Sequence, residues 1–224
     1  MSAPSDPVRT PADGTVTGVG PDRFPWPPAA DASVIEGLVD TWTGAVLRPV
    51  SFFGALAAAA RTAPALLYYL VIGILASAID LFWTTLLPPD SDGGLGEVLA
   101  IASAATPLVD FLLSPIMLLL SLLLSAGITQ LLVLTLVPGN RGFGATLRSF
   151  CFAYSPALFA VVPRVGPLVG FAWMTVLSVI GIREVHRTST PRAVVAVLVP
   201  LLMGGLLLLF AFLLMRSGAL LPMP

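Results

Sequence analysis

Long apolar runs recur along this chain, and no soluble core can absorb them. Pro64–Leu87, Asp110–Val137, Phe143–Val162, Leu168–Ile182 and Arg192–Met215 each approach the length that crosses a bilayer, which for a helix is about 20 residues. Only 10% of the chain is charged and 57% is hydrophobic, whereas a soluble domain carries about 25% charged residues. The bilayer is therefore the solvent for most of it. Continuous apolar runs satisfy their backbone there as helices. The expected fold is all-α: an integral membrane helical bundle of about five transmembrane helices, preceded by cytosolic amphipathic helices.

The segments between these runs set the domain plan. Residues 1–30 are polar and rich in Pro, Gly and Asp, so they read as a disordered cytosolic tail. They hold no basic n-region or apolar h-region, so no signal peptide is expected. Residues 31–61 read as amphipathic interfacial helices. Val34, Ile35, Leu38, Val39, Trp42, Val46 and Leu47 recur near helical spacing, and Pro49 ends that helix. It is too short to span and lies on the membrane or on the bundle. Ser51 caps a second, Ala-rich helix, Phe52–Arg61. Residues 62–216 form the five-span domain and 217–224 a short outer tail.

Val98–Val137 is the hard stretch, too long for one span and short for two. Gly96–Thr106 is read as interfacial and Asp110–Val137 as one kinked span. The rival reading is a tight hairpin turning at Ser114-Pro115.

Arginine position discriminates between them. All basic residues are Arg. With five spans and the N-terminus inside, Arg48, Arg61, Arg141, Arg148, Arg183, Arg187 and Arg192 lie inside, and only Arg164 and Arg216 outside. The hairpin would put most of the inner set outside. This places the chain in a bacterial cytoplasmic (inner) membrane, N-terminus cytosolic and C-terminus outside. The bacterial origin rests on the absence of Lys, which suits a GC-rich genome.

The composition also excludes functions. A net charge of -1 implies no nucleic-acid partner. One Cys and one His cannot build a zinc site, and no metal or other cofactor is expected.

From Gly142 onward the wording is familiar. Gly142-Phe-Gly-Ala-Thr-Leu-Arg148 leads to Tyr154-Ser155-Pro156, Val162-Pro163, Gly166-Pro167 and Trp173. Ile180-Gly181-Ile182-Arg-Glu184-Val-His186-Arg-Thr188 and Arg192-Ala193 follow. Upstream stands Arg48-Pro49-Val50-Ser51-Phe52-Phe53. Over about residues 40–215 the chain resembles the Yip family (Ypt/Rab-interacting proteins) in its bacterial form. The resemblance implies five spans with a cytosolic N-terminus. In eukaryotes the family associates with prenylated small GTPases. The acidic-aromatic-Gly-Pro signature of those members' N-terminal region is missing here, so that role is not carried over.

Several residues carry candidate chemistry. Asp80, deep in the first span, is a proton or cation relay, or else a carboxylate that snorkels and hydrogen-bonds Thr84. Gln130 makes an interhelical hydrogen bond or a substrate contact. Asp110 caps its helix or faces the interface. Arg183, Glu184, His186, Arg187 and Arg192, with Trp42, are candidate contacts to lipid headgroups or a partner. Gly166 and Gly170 allow close helix packing, within the bundle or in a dimer. Pro156 and Pro163 break the third span's hydrogen-bond ladder. Cys151 reads as an inert small apolar side chain.

Two classes of function follow. The first is a non-enzymatic membrane-organising or adaptor protein that contacts the lipid bilayer and a cytosolic or membrane partner. The second is a small transporter or channel subunit using Asp80 and Gln130. Five short spans make a poor pathway alone, so the second needs a homo-oligomer. An intramembrane enzyme ranks last, because Ser155, His186 and Asp80 fall at different depths.

Overall fold

The structure, a computed structural model, describes residues 24–28, 33–56, 61–87 and 106–216. All regular structure among these residues is helical: α1 Val34–Leu47, α2 Pro49–Leu56, α3 Thr62–Leu86, α4 Pro107–Leu136, α5 Phe143–Ala153, α6 Gly166–His186 and α7 Thr190–Arg216. A 3-10 segment, Ser155–Val161, stands between α5 and α6. The Pro88–Gly94 turn, Gly96–Ala105, residues 57–60 and the outer tail lie outside the described residues.

Four helices, α3, α4, α6 and α7, are long and apolar enough to cross a membrane. The third expected span is not one helix. It is α5, a break at Tyr154, and the 3-10 segment. Pro156 is the reason: it has no N–H to continue the ladder. At about 1.5 Å per α residue and 2.0 Å per 3-10 residue, the two pieces in line reach about 30 Å. That matches the hydrocarbon thickness.

The rival hairpin at Ser114-Pro115 does not form, and the single-span reading of Asp110–Val137 holds. α4 runs unbroken through Pro115 for 30 residues. The second short helix begins at Pro49 rather than Phe52. A proline's fixed φ suits a first helical turn, and Ser51 Oγ donates to the Arg48 carbonyl at 3.0 Å rather than capping a later start.

Three contacts gather one end of the bundle. Arg148 Nη1 of α5 reaches Thr62 Oγ1 at the start of α3, at 3.3 Å. Thr146 of α5 donates to Gln130 near the end of α4. The Arg141 N–H reaches His186 at the end of α6. The start of α3, the end of α4, the start of α5 and the end of α6 thus share one end of the bundle. Toward the other end, Tyr69 of α3 donates to the Leu118 carbonyl of α4 at 3.0 Å.

The core is aromatic. Phe53, Tyr68 and Phe152 are fully buried, with Phe52 and Tyr69 nearly so. In a bilayer, where lipid tails are as apolar as these rings, such burial stabilises through close packing rather than through removal of apolar surface from water. A smaller cluster of Val133, Val137, Ile182, Ala193 and Ala196 joins α4, α6 and α7. Close approach depends on glycine where helices cross. A Cβ on Gly181 of α6 would overlap Ser149 Oγ of α5, and one on Gly166 would overlap the Phe159 carbonyl.

Candidate functional site

The sequence placed one apolar face on α1, and the structure divides it. Leu38, Trp42 and Val46 turn to the bundle, joined there by buried Gly37, Thr41 and Ala45. Val34, Ile35, Val39 and Leu47 stay exposed, Ile35 at 72%. Glu36, Asp40 and Arg48 share that outer surface. The cause is small-residue packing: Gly37, Thr41 and Ala45 repeat every four residues, and such a ridge lets a helix approach its neighbour closely.

Indole hydrogen bonds fix α1 in place. Trp42 Nε1 donates to the Ser155 carbonyl at 2.9 Å, and its ring stands edge-on to Phe159. Trp173 Nε1 of α6 donates to the Val46 carbonyl at 3.2 Å. Trp42, expected to meet lipid or a partner, is instead half-buried and spent on the bundle.

The break after α5 has a specific hydrogen-bond solution. Pro156 cannot donate to the Phe152 carbonyl four residues back. Ser155 Oγ donates to that carbonyl at 2.6 Å. Its hydrogen is then committed, so Tyr68 is the donor in the 2.9 Å contact between the two hydroxyls. The chain Tyr68 to Ser155 to Phe152 gives each of its own three groups a partner in the interior.

A second network closes the other end. His186 is buried, 4% exposed. Its Nδ1 accepts the Arg141 N–H at 3.1 Å, so the neutral ring carries its hydrogen on Nε2 and gives it to Thr146 Oγ1 at 2.9 Å. Thr146 donates to Gln130 Oε1 at 2.5 Å, and Gln130 Nε2 to Asn140 Oδ1 at 3.3 Å. Asn140 Oδ1 also accepts the Gly142 N–H. The turn itself uses Gly139 and Gly142 at φ 72° and 78°, a region open to glycine at little cost. Gln130 thus makes the interhelical bond expected of it.

Among the remaining sequence candidates, Asp80 of α3 and Asp110 of α4 lie within electrostatic reach of each other. Glu184 pairs with adjacent Arg183 at 2.6 Å. Arg187 is exposed and ends α6 in the left-handed region, φ 53°. Arg192 is exposed on the first turn of α7. Asp80 is exposed near the far end of α3. The Thr84 hydroxyl meets its backbone carbonyl at 2.8 Å, not the expected carboxylate. Asp110, exposed in the first turn of α4, stands 20 residues from Gln130 on one helix, about 30 Å. Gly166 and Gly170 pack inside the chain, against Phe159 and Pro156. Cys151 is fully buried. No group of three or more potential metal ligands occurs among the described residues.

Sequence reasoning missed Tyr68, Thr146 and Asn140, and it missed Phe24 and Trp26. It assigned residues 24–28 to the tail, yet Trp26 is buried at 6% exposure and Phe24 packs against Phe52 and Phe152. The signal was present: Phe24-Pro-Trp26-Pro-Pro28 is the aromatic island in an otherwise polar stretch.

Residues 43–212 match the family model described as the Yip1 domain. No curated protein and no solved structure matches the chain.

Proposed function

The chain belongs to the Yip1 domain family and is an integral membrane protein, and from that premise we propose that it serves as a non-enzymatic adaptor, docking a partner on the outer face of α1. One observation carries this reading. The helix is anchored on one side by Trp42 and Trp173, while Val34, Ile35, Val39 and Leu47 stay exposed beside Glu36 and Asp40. A rigid helix with exposed aliphatic side chains suits helix-to-groove recognition. The two carboxylates favour a partner with basic residues and disfavour an anionic lipid surface.

The membrane is proposed to be the bacterial cytoplasmic one, with α1 on the cytosolic side. The arginine bias from Arg48 onward, seven inside against two outside, supports that orientation. Arg187 and Arg192, both exposed, are the proposed headgroup contacts.

The test is capture from native membranes with the full chain and with Ile35→Ser/Val39→Ser. Deleting α1 would remove buried Thr41, Ala45 and Val46, so substitution on the outer face is the cleaner variant. A partner held by the wild type and lost from the variant upholds the adaptor reading. Equal capture by both overturns it.

A further inference from the structure

We propose that the cleft between α2, α3 and α5 is a binding site for short peptides combining aromatic residues with proline, occupied in cis by Phe24–Pro28. When that segment withdraws, the cleft takes such a peptide from another protein.

The occupant shows what the cleft selects. Phe24 lies 4.9 Å from the ring of Phe52 and 5.3 Å from that of Phe152. Trp26 stands edge-on to Tyr68 at 5.8 Å, and its Nε1 donates to the Pro64 carbonyl at 2.6 Å. The segment has no regular secondary structure. Two aromatic anchors and one directional hydrogen bond hold it, which is how peptide grooves achieve specificity. Three of its five residues are proline. Their fixed φ lowers the entropy lost on docking.

The cleft is shaped to the segment from the α1 side as well. Gly37 is buried, and a Cβ there would come within 2.9 Å of Pro28 Cβ. The site lies against the inner side of α1, so it stands whether or not the outer face docks a partner.

The probe is a fluorescent synthetic peptide with the sequence of residues 21–30, titrated onto full-length protein in detergent. Trp26→Ala empties the main anchor. It is expected to bind the probe at least ten-fold more tightly than the wild type, whose cleft is filled. The same peptide with alanine for its tryptophan is expected to bind neither. A Trp26→Ala protein with wild-type helicity and no gain in binding overturns the proposal. Should that variant not fold, a protease site is inserted between Pro28 and Ser33 of the wild-type chain and cut after purification. Exchange of the probe into cut but not uncut protein then upholds the site, and equal binding to both overturns it.

Discussion

Tyr68 and Ser155 are 87 residues apart in sequence, and their hydroxyls meet at 2.9 Å inside the bundle. The contact exists because Pro156 leaves the Phe152 carbonyl without its helical donor. Ser155 supplies that donor and becomes free only to accept, which sets the direction of the Tyr68 bond. A helix break that would otherwise expose backbone to hydrocarbon is thereby closed by two side chains.

Ser155→Ala orphans both the Phe152 carbonyl and the Tyr68 hydroxyl. The expected loss is about 3 kcal/mol, against about 1 kcal/mol for Tyr68→Phe, which removes only the outer bond. The double variant is expected to lose less than the sum, because Phe at 68 removes the orphaned hydroxyl. Unfolding of the four proteins in detergent, followed by circular dichroism, measures each value. Strict additivity would contradict the relay.

Gly166 and Gly204 separate packing from propensity. A Cβ at Gly166 meets the Phe159 backbone, whereas nothing lies within 4 Å of one at Gly204. Gly166→Ala is expected to destabilise by about 3 kcal/mol. Gly204→Ala is expected to be neutral or to stabilise by up to about 1 kcal/mol. Thermal unfolding of both variants against wild type reads the difference.

Thr146→Val keeps the side chain's volume but removes the hydroxyl between His186 and Gln130. Two buried polar atoms lose their partners, an expected cost of about 2–4 kcal/mol. Thr175→Val on the same bundle is the control. Its hydroxyl only back-bonds the Phe171 carbonyl of its own helix, and the expected change is within about 0.5 kcal/mol. Equal losses for the two would mean that the His186 network adds nothing to stability.

Asp80→Asn is expected to leave stability and partner capture unchanged, because the side chain is exposed near the end of α3. Reconstituted vesicles give the second readout. Ion or proton flux in wild type that vanishes in Asp80→Asn would favour transport over the adaptor role.

Much of the molecule was legible from local chemistry. The ends of α3 at Thr62 and Leu86 and of α4 at Leu136 fall within about three residues of the boundaries read from hydropathy and turns. Pro156 announced the break, although not that Ser155 and Tyr68 would close it. The candidate residues fared differently. Gln130 met a helix partner, as a lone amide in hydrocarbon must, whereas the partner's identity, Thr146, depended on how α4 and α5 pack. Trp42 sits on an apolar face that spacing alone assigns to lipid, partner or bundle alike, because spacing cannot tell which neighbour covers a helix.

The sequence by itself determined that this chain lives in a membrane and where its long apolar helices run. These follow from hydropathy and charge, which act on each segment against one uniform solvent and need no knowledge of the rest of the chain. Only the tertiary structure decided that α1 buries Gly37, Thr41 and Ala45 while exposing Ile35, that His186 is a buried structural link, and that Phe24 and Trp26 belong to the core. Those outcomes depend on shape and hydrogen-bond complementarity between residues far apart in sequence, and a one-dimensional pattern does not contain that information.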